Sequence, residues 1–174
     1  MRGLLSAAAM AACLAWPAAA LEVAGTVPER AKGAASADFN LSGVTVKGVA
    51  WENGAVVLPV TENKGRSYID VKLLSRKLYS KLENCFKAGC PPPAKAPAPP
   101  AIKVEGFRPL KSKVRVANAE VSLDGELAVV LGVMVSSREP GTFWVAFPDS
   151  VVFSDGLKAA VEKKVRDAWD KRTR

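Results

Sequence analysis

The segment Ala117-Asn118-Ala119-Glu120-Val121-Ser122-Leu123-Asp124-Gly125 has a degraded copy upstream, Ala35-Ser36-Ala37-Asp38-Phe39-Asn40-Leu41-Ser42-Gly43. In both, Ala, Ala, an apolar residue and Leu take alternate positions, with small or polar residues between them. That two-residue period is that of a half-buried strand ending at a glycine turn. The correspondence continues downstream. Lys47-Gly48-Val49 matches Leu131-Gly132-Val133, Val56-Val57-Leu58-Pro59 matches Trp144-Val145-Ala146-Phe147-Pro148, and an amphipathic helix pattern comes after each proline. A shared order of strand, turn, strand, proline-ended strand and helix points to one unit used twice, against the alternative of two unrelated αβ segments.

Residues 1–20 lie outside both copies. Arg2 precedes an apolar run over 4–16, and Ala18-Ala19-Ala20 supplies small residues for cleavage, the pattern of a secretory signal peptide. The run is short for a membrane span, so no transmembrane segment is expected after cleavage. Met10-Ala11-Ala12-Cys13 leaves a lipoprotein as the minor alternative to a periplasmic or secreted product.

Cleavage removes Arg2 and no acid, leaving 24 basic against 17 acidic side chains, a net +7. Such a balance suits nucleic acid, anionic membranes or acidic polymers, and equally suits a soluble protein with many surface lysines. Cys85 and Cys90 remain as an even pair in an oxidising compartment, which predicts a disulfide clipping the end of the first helix to the start of a proline-rich segment. Two thiols in a chain without histidine make a poor zinc site, and their spacing is not that of a thiol oxidoreductase.

Within the first copy, residues 22–27, 35–41, 44–51 and 55–60 read as strands, the last two joined by Asn53-Gly54, a strong hairpin signal. Asp70 is positioned to cap a helix through Phe86 with Val71, Leu74, Leu78, Leu82 and Cys85 on its apolar stripe. Residues 87–101 hold half of the chain's 12 prolines and predict an extended polyproline spacer, on the order of 30 Å long at about 3.1 Å per residue. In the second copy, residues 102–174, four strands form a meander. Ser154 or Asp155 then starts a helix in which Leu157, Val161, Val165, Ala168 and Trp169 share a face. The expected class is α+β, each repeat being a small antiparallel β-meander followed by one helix, over 21–86 and 102–174.

Catalysis lacks its usual residues: the chain contains no histidine, no Gly-x-Ser-x-Gly elbow and no phosphate loop. No catalytic residue, metal site or cofactor is assigned. Asp124 and Glu126 are two residues apart on a turn, where turn capping outweighs acid–base work.

The second copy resembles the stage V sporulation protein G, or septation-protein, family of small bacterial nucleic-acid-binding proteins. The likeness rests on Ala117-x-Ala119-x-Val121-x-Leu123-Asp124-x-Glu126 and on Trp144-Val145-Ala146-Phe147-Pro148, reached through Val129-Val130 and Val133-x-Val135. In the first copy, Gly65, Tyr68, Asp70 and Val71 come after Pro59 at similar spacings. Family members pair as homodimers, so the resemblance implies two copies packed as a single-chain pseudo-dimer, which would let two small, individually marginal units share a core. It also implies DNA or RNA binding through basic residues on and near the helices: by position Lys158, Lys163, Lys164, Arg166 and Lys171, with Lys72, Arg76, Lys77 and Lys81 from the first copy. The basic patch that the family carries soon after the proline is replaced by Asp149-Ser150-Val151-Val152 and by Val60-Thr61-Glu62-Asn63. The alternative is an envelope protein-interaction module that kept the scaffold and binds a protein partner through Trp51, Phe143, Trp144 or Trp169.

Overall fold

At Leu41 and Leu123 the chain doubles back through turns with left-handed residues, Ser42 and Gly43 (φ 51° and 94°) in one and Asp124 and Gly125 (φ 50° and 66°) in the other. Such turns match the right-handed twist of the strands they join. The computed structural model describes residues 20–63, 65–92, 95–139 and 141–173; all but the last residue of the expected signal peptide lies outside them.

The first half runs β1 (Val23–Val27), β2 (Ser36–Leu41), β3 (Val44–Glu52) and β4 (Ala55–Val57). The expected hairpin at Asn53-Gly54 joins β3 to β4 in the register Glu52 to Ala55. A small separate hairpin comes next, β5 (Thr61–Asn63) with β6 (Arg66–Tyr68), then β7 (Val71–Leu73) and α1 (Arg76–Ala88). The second half repeats the order without the extra hairpin: β8 (Ile102–Pro109), β9 (Arg115–Leu123), β10 (Leu127–Val135), β11 (Phe143–Ala146), β12 (Val151–Phe153) and α2 (Asp155–Thr173).

The two halves exchange strands. β7 leaves the first half and pairs with β10, while β12 leaves the second and pairs with β3, so each five-stranded antiparallel sheet contains one strand from the other half. Matching hydrogen bonds pin both exchanges. Val130 N donates to Asp70 O and Leu74 N to Glu126 O around β7; Lys47 N donates to Ser150 O and Ser154 N to Gly43 O around β12, all at 2.8 Å. The two turns are tied down alike. Glu22 N donates to Ser42 Oγ and Ser42 N returns a bond to Glu22 O; Ala101 N donates to Asp124 Oδ1 and Asp124 N returns one to Ala101 O.

The exchange corrects the predicted first helix. Asp70 caps no helix: its carboxylate accepts from Thr61 Oγ1 at 2.5 Å, and Val71–Leu73 is a strand laid against Val129, Ala128 and Leu127. Ser75 is the cap, its Oγ accepting from Lys77 N and Leu78 N, so α1 starts at Arg76 and Leu74 is left exposed. A ladder with a partner remote in sequence outcompetes a local helical periodicity. β4 likewise ends at Val57, short of the expected residue 60.

Each helix covers one sheet. α1 buries Leu78, Leu82, Cys85 and Phe86, with the Phe86 ring 5.3 Å from Phe39 and 5.7 Å from Trp51. α2 buries Leu157, Val161, Val165 and Trp169, with the Trp169 ring 5.1 Å from Phe107 and 5.9 Å from Phe143. One apolar core runs through both halves, joining Phe39, Leu41 and Val46 to Val121, Leu127 and Leu131. At about 1.5–3 kcal/mol for each fully buried Leu, Val or Phe, neither half would retain its share of this core alone. Cys85 and Cys90 form the predicted disulfide, S–S 2.18 Å, at the end of α1.

Candidate nucleic-acid interface

The cations singled out from the resemblance are distributed over three elements. Lys72 lies on β7 and pairs with Glu120 at 2.8 Å. On α1, Arg76 and Lys77 are exposed, whereas Lys81 reaches inward to Leu21 O at 2.6 Å and Glu22 Oε1 at 2.8 Å. On α2, Lys158 sits 5.4 Å from the Phe147 ring centre and Lys163 pairs with Asp167 at 2.7 Å. The hydrogen bond from Lys163 holds the Asp167 carboxyl below its ordinary range. Lys164, Arg166 and Lys171 are exposed among Glu162, Asp167 and Asp170. The helices pack on different sheets, and Lys72 lies on the face of the second sheet opposite α2, so these side chains are not gathered into one patch.

That opposite face is the more organised surface. Residues paired across antiparallel strands share a face. Phe107, Ala119 and Leu131 face the core and α2, so the adjoining row Arg108, Asn118, Gly132 and Ala146, one residue each from β8, β9, β10 and β11, points away from it. The next outward row holds Arg115, Met134 and Trp144.

The two rows interlock. Arg115 lies across Gly132, its Nε only 3.0 Å and its Cζ 3.2 Å from where a Cβ at that position would stand, with the Ala146 Cβ 3.3 Å away on the other side. A side chain at this position would press on the guanidinium, which glycine lets lie close to the sheet. Among the described residues, Arg115 Nε and Asn118 Oδ1 are buried with no hydrogen-bond partner. Trp144 is 46% exposed, whereas Trp51 and Trp169 are packed against other rings.

The charge on this face is positive. Its acids are neutralised locally, Glu120 by Lys72 at 2.8 Å and Glu105 by Lys103 at 2.7 Å. Hydrogen bonds from Lys103 and then Ser122 hold the Glu105 carboxyl below its usual value. Arg108, Lys111, Lys113 and Arg115 succeed one another along β8, its loop and β9, with no acid from residue 106 to 119. That run of cations was visible in the sequence and is absent from the candidates drawn from the helices; its placement beside an exposed tryptophan was not visible there.

A cleft of about 260 Å³ lies at the rim, between β11 and α2, lined by Thr142, Phe143, Trp144 and Arg166. Among the described residues no three of His, Cys, Asp or Glu lie together as metal ligands, and no helix is long and apolar enough to cross a membrane. No family model, curated protein or solved structure matches this chain.

Proposed function

We propose that this chain is an exported, non-enzymatic nucleic-acid-binding module built from a duplicated, septation-protein-like unit. The matched order of elements, the reciprocal strand exchange and the paired turn contacts support the duplication. The disulfide and the leader-like residues 1–20 support export. The observation that carries the ligand assignment is the run Arg108, Lys111, Lys113 and Arg115, none of them in an ion pair among the described residues. Exposed cations of the helices, Arg76, Lys77, Lys164, Arg166 and Lys171, add a diffuse attraction around it.

Counterion release makes such binding salt-dependent, with a log–log slope near −0.7 per phosphate contacted on single strands, so a site engaging about four phosphates gives a slope near −3. Fluorescence anisotropy of labelled oligonucleotides against the mature chain over a salt series measures it. Undetectable affinity at low salt removes the reading. A second reading, a protein partner in the envelope, draws on the exposed Trp144 and the adjacent cleft, and is distinguished by binding that survives high salt.

A further inference from the structure

We infer that the open face of the second sheet is a single-strand site, on which an unpaired base stacks against Trp144 while Arg108, Lys111, Lys113 and Arg115 track the phosphates. The inference rests on the nucleic-acid reading above and specifies its ligand and its location, a sheet face rather than the helix faces.

Three observations converge on one end of that sheet. The first is an aromatic ring left 46% exposed while the described Trp51 and Trp169 pack against other rings. The indole offers a stacking surface to any base whose own face is free, which duplex bases do not present. The second is the charge: Arg108 and Arg115 on this face, with Lys111 and Lys113 on the exposed loop that joins β8 to β9, carry no ion pair among the described residues, and the acids Glu105 and Glu120 of the face are held by lysines. This complements a polyanion and disfavours an acidic-to-basic protein mosaic. The third is the trough between the rows. Gly132 and Ala146 give its floor no bulk, and the Arg115 guanidinium lies across Gly132. Arg115 and Trp144 lie in one outward row, paired through Met134, so a base stacked on the ring would set its phosphate beside a cation.

The test uses the mature chain and labelled 12-nucleotide oligothymidine and oligouridine, a duplex of the same length, and inorganic polyphosphate as a polyanion without bases. Wild type is expected to prefer the single strands and to show quenching of tryptophan emission on binding. Trp144→Ala is expected to lower single-strand affinity about 10- to 100-fold and to abolish most of the quenching. Lys111→Ala with Lys113→Ala, both on an exposed loop, is expected to reduce the salt slope by about 1.4. Lys164→Ala with Lys158→Ala on α2 is expected to change affinity less than threefold. Unchanged circular dichroism checks the fold of each variant, and Arg115→Gln serves as a second variant should Trp144→Ala misfold. Equal binding of the duplex or of polyphosphate, or retained affinity in both Trp144→Ala and Arg115→Gln, overturns the inference. Loss of binding in the α2 variant alone overturns this site while leaving the nucleic-acid reading intact, and no binding by wild type removes both.

Discussion

Glu126 is a carboxylate, 8% exposed, at the seam between the halves, and replacing it tests whether the exchanged strands are held as described. Its Oε2 accepts from Leu21 N at 2.7 Å and its Oε1 from Ser75 Oγ at 3.1 Å, while its own carbonyl accepts from Leu74 N at 2.8 Å. One side chain of the second half therefore fixes both ends of the first half's contribution, the entry to β1 and the cap of α1. Glu126→Ala leaves the amide of fully buried Leu21 without an acceptor. A hydrogen bond to a charged group contributes about 1.5–3 kcal/mol, and the hydroxyl bond adds about 1 kcal/mol, so the expected loss is about 3 kcal/mol. For a chain of this size that is roughly 6–12 °C in melting temperature. Glu126→Gln keeps an oxygen facing the Leu21 amide and should lose only about 1–2 kcal/mol. Urea unfolding followed by circular dichroism measures both. A loss below about 1 kcal/mol for Glu126→Ala, or an equal loss for Gln and Ala, would refute the assignment of Glu126 as the seam contact.

Gly43→Ala should destabilise more than Gly54→Ala: both have positive φ, but a Cβ at Gly43 would meet Ser154 Oγ at 3.1 Å and one at Gly54 meets nothing within 4 Å. About 2–3 kcal/mol against about 1 kcal/mol is expected by urea unfolding, and equal losses would show that the β12 exchange does not press on that turn. Cys85→Ser with Cys90→Ser opens a loop of sequence separation 5 and should cost about 2 kcal/mol while preserving the far-ultraviolet spectrum. Retained stability would show that the clip is dispensable. Glu105, held ionised by Lys103 and Ser122, should titrate below an ordinary Glu in a carbon-13 NMR pH series. Because its folded pKa is depressed, its contribution to stability is present above the ordinary Glu value and is lost as pH falls through the folded one. Ser122→Ala should move the titration back toward the ordinary value, and a wild-type titration at or above that value refutes the contact.

What the sequence made legible was local. Asn53-Gly54, Ser42-Gly43 and Asp124-Gly125 announced turns because few residue pairs tolerate those backbone angles, and the long strands between them showed their period. The exchanged strands Val71–Leu73 and Val151–Phe153 were illegible, since three residues carry no period and their partners lie in the other half. The open face was hidden by a single irregularity. Strict alternation from Ala117 would bury Arg115 with the core, but a register shift at Val133 and Met134 makes Val116 the extra residue and turns Arg115 outward. A bulge of that kind leaves no local mark in residue types, and only the paired strand reveals it.

On the duplicated-unit reading proposed above, joining the halves frees them to differ. In a pair of identical chains, each surface appears twice and must serve packing and binding at once. Here the first half covers the free edge of β4 with its own helix, Val56 N donating to Tyr79 Oη at 3.2 Å, and sends Lys72 across to neutralise Glu120 on the second sheet. The second half keeps β11 beside an open cleft and leaves Trp144 and Arg115 on an uncovered face. The first half thus completes the core and adjusts the charge of a surface it does not itself carry. Transplanting Arg115, Gly132 and Trp144 into the first sheet would not reproduce this face, because β3 is bulged at Gly48, where φ is 66°, rather than at the position that turns Arg115 outward.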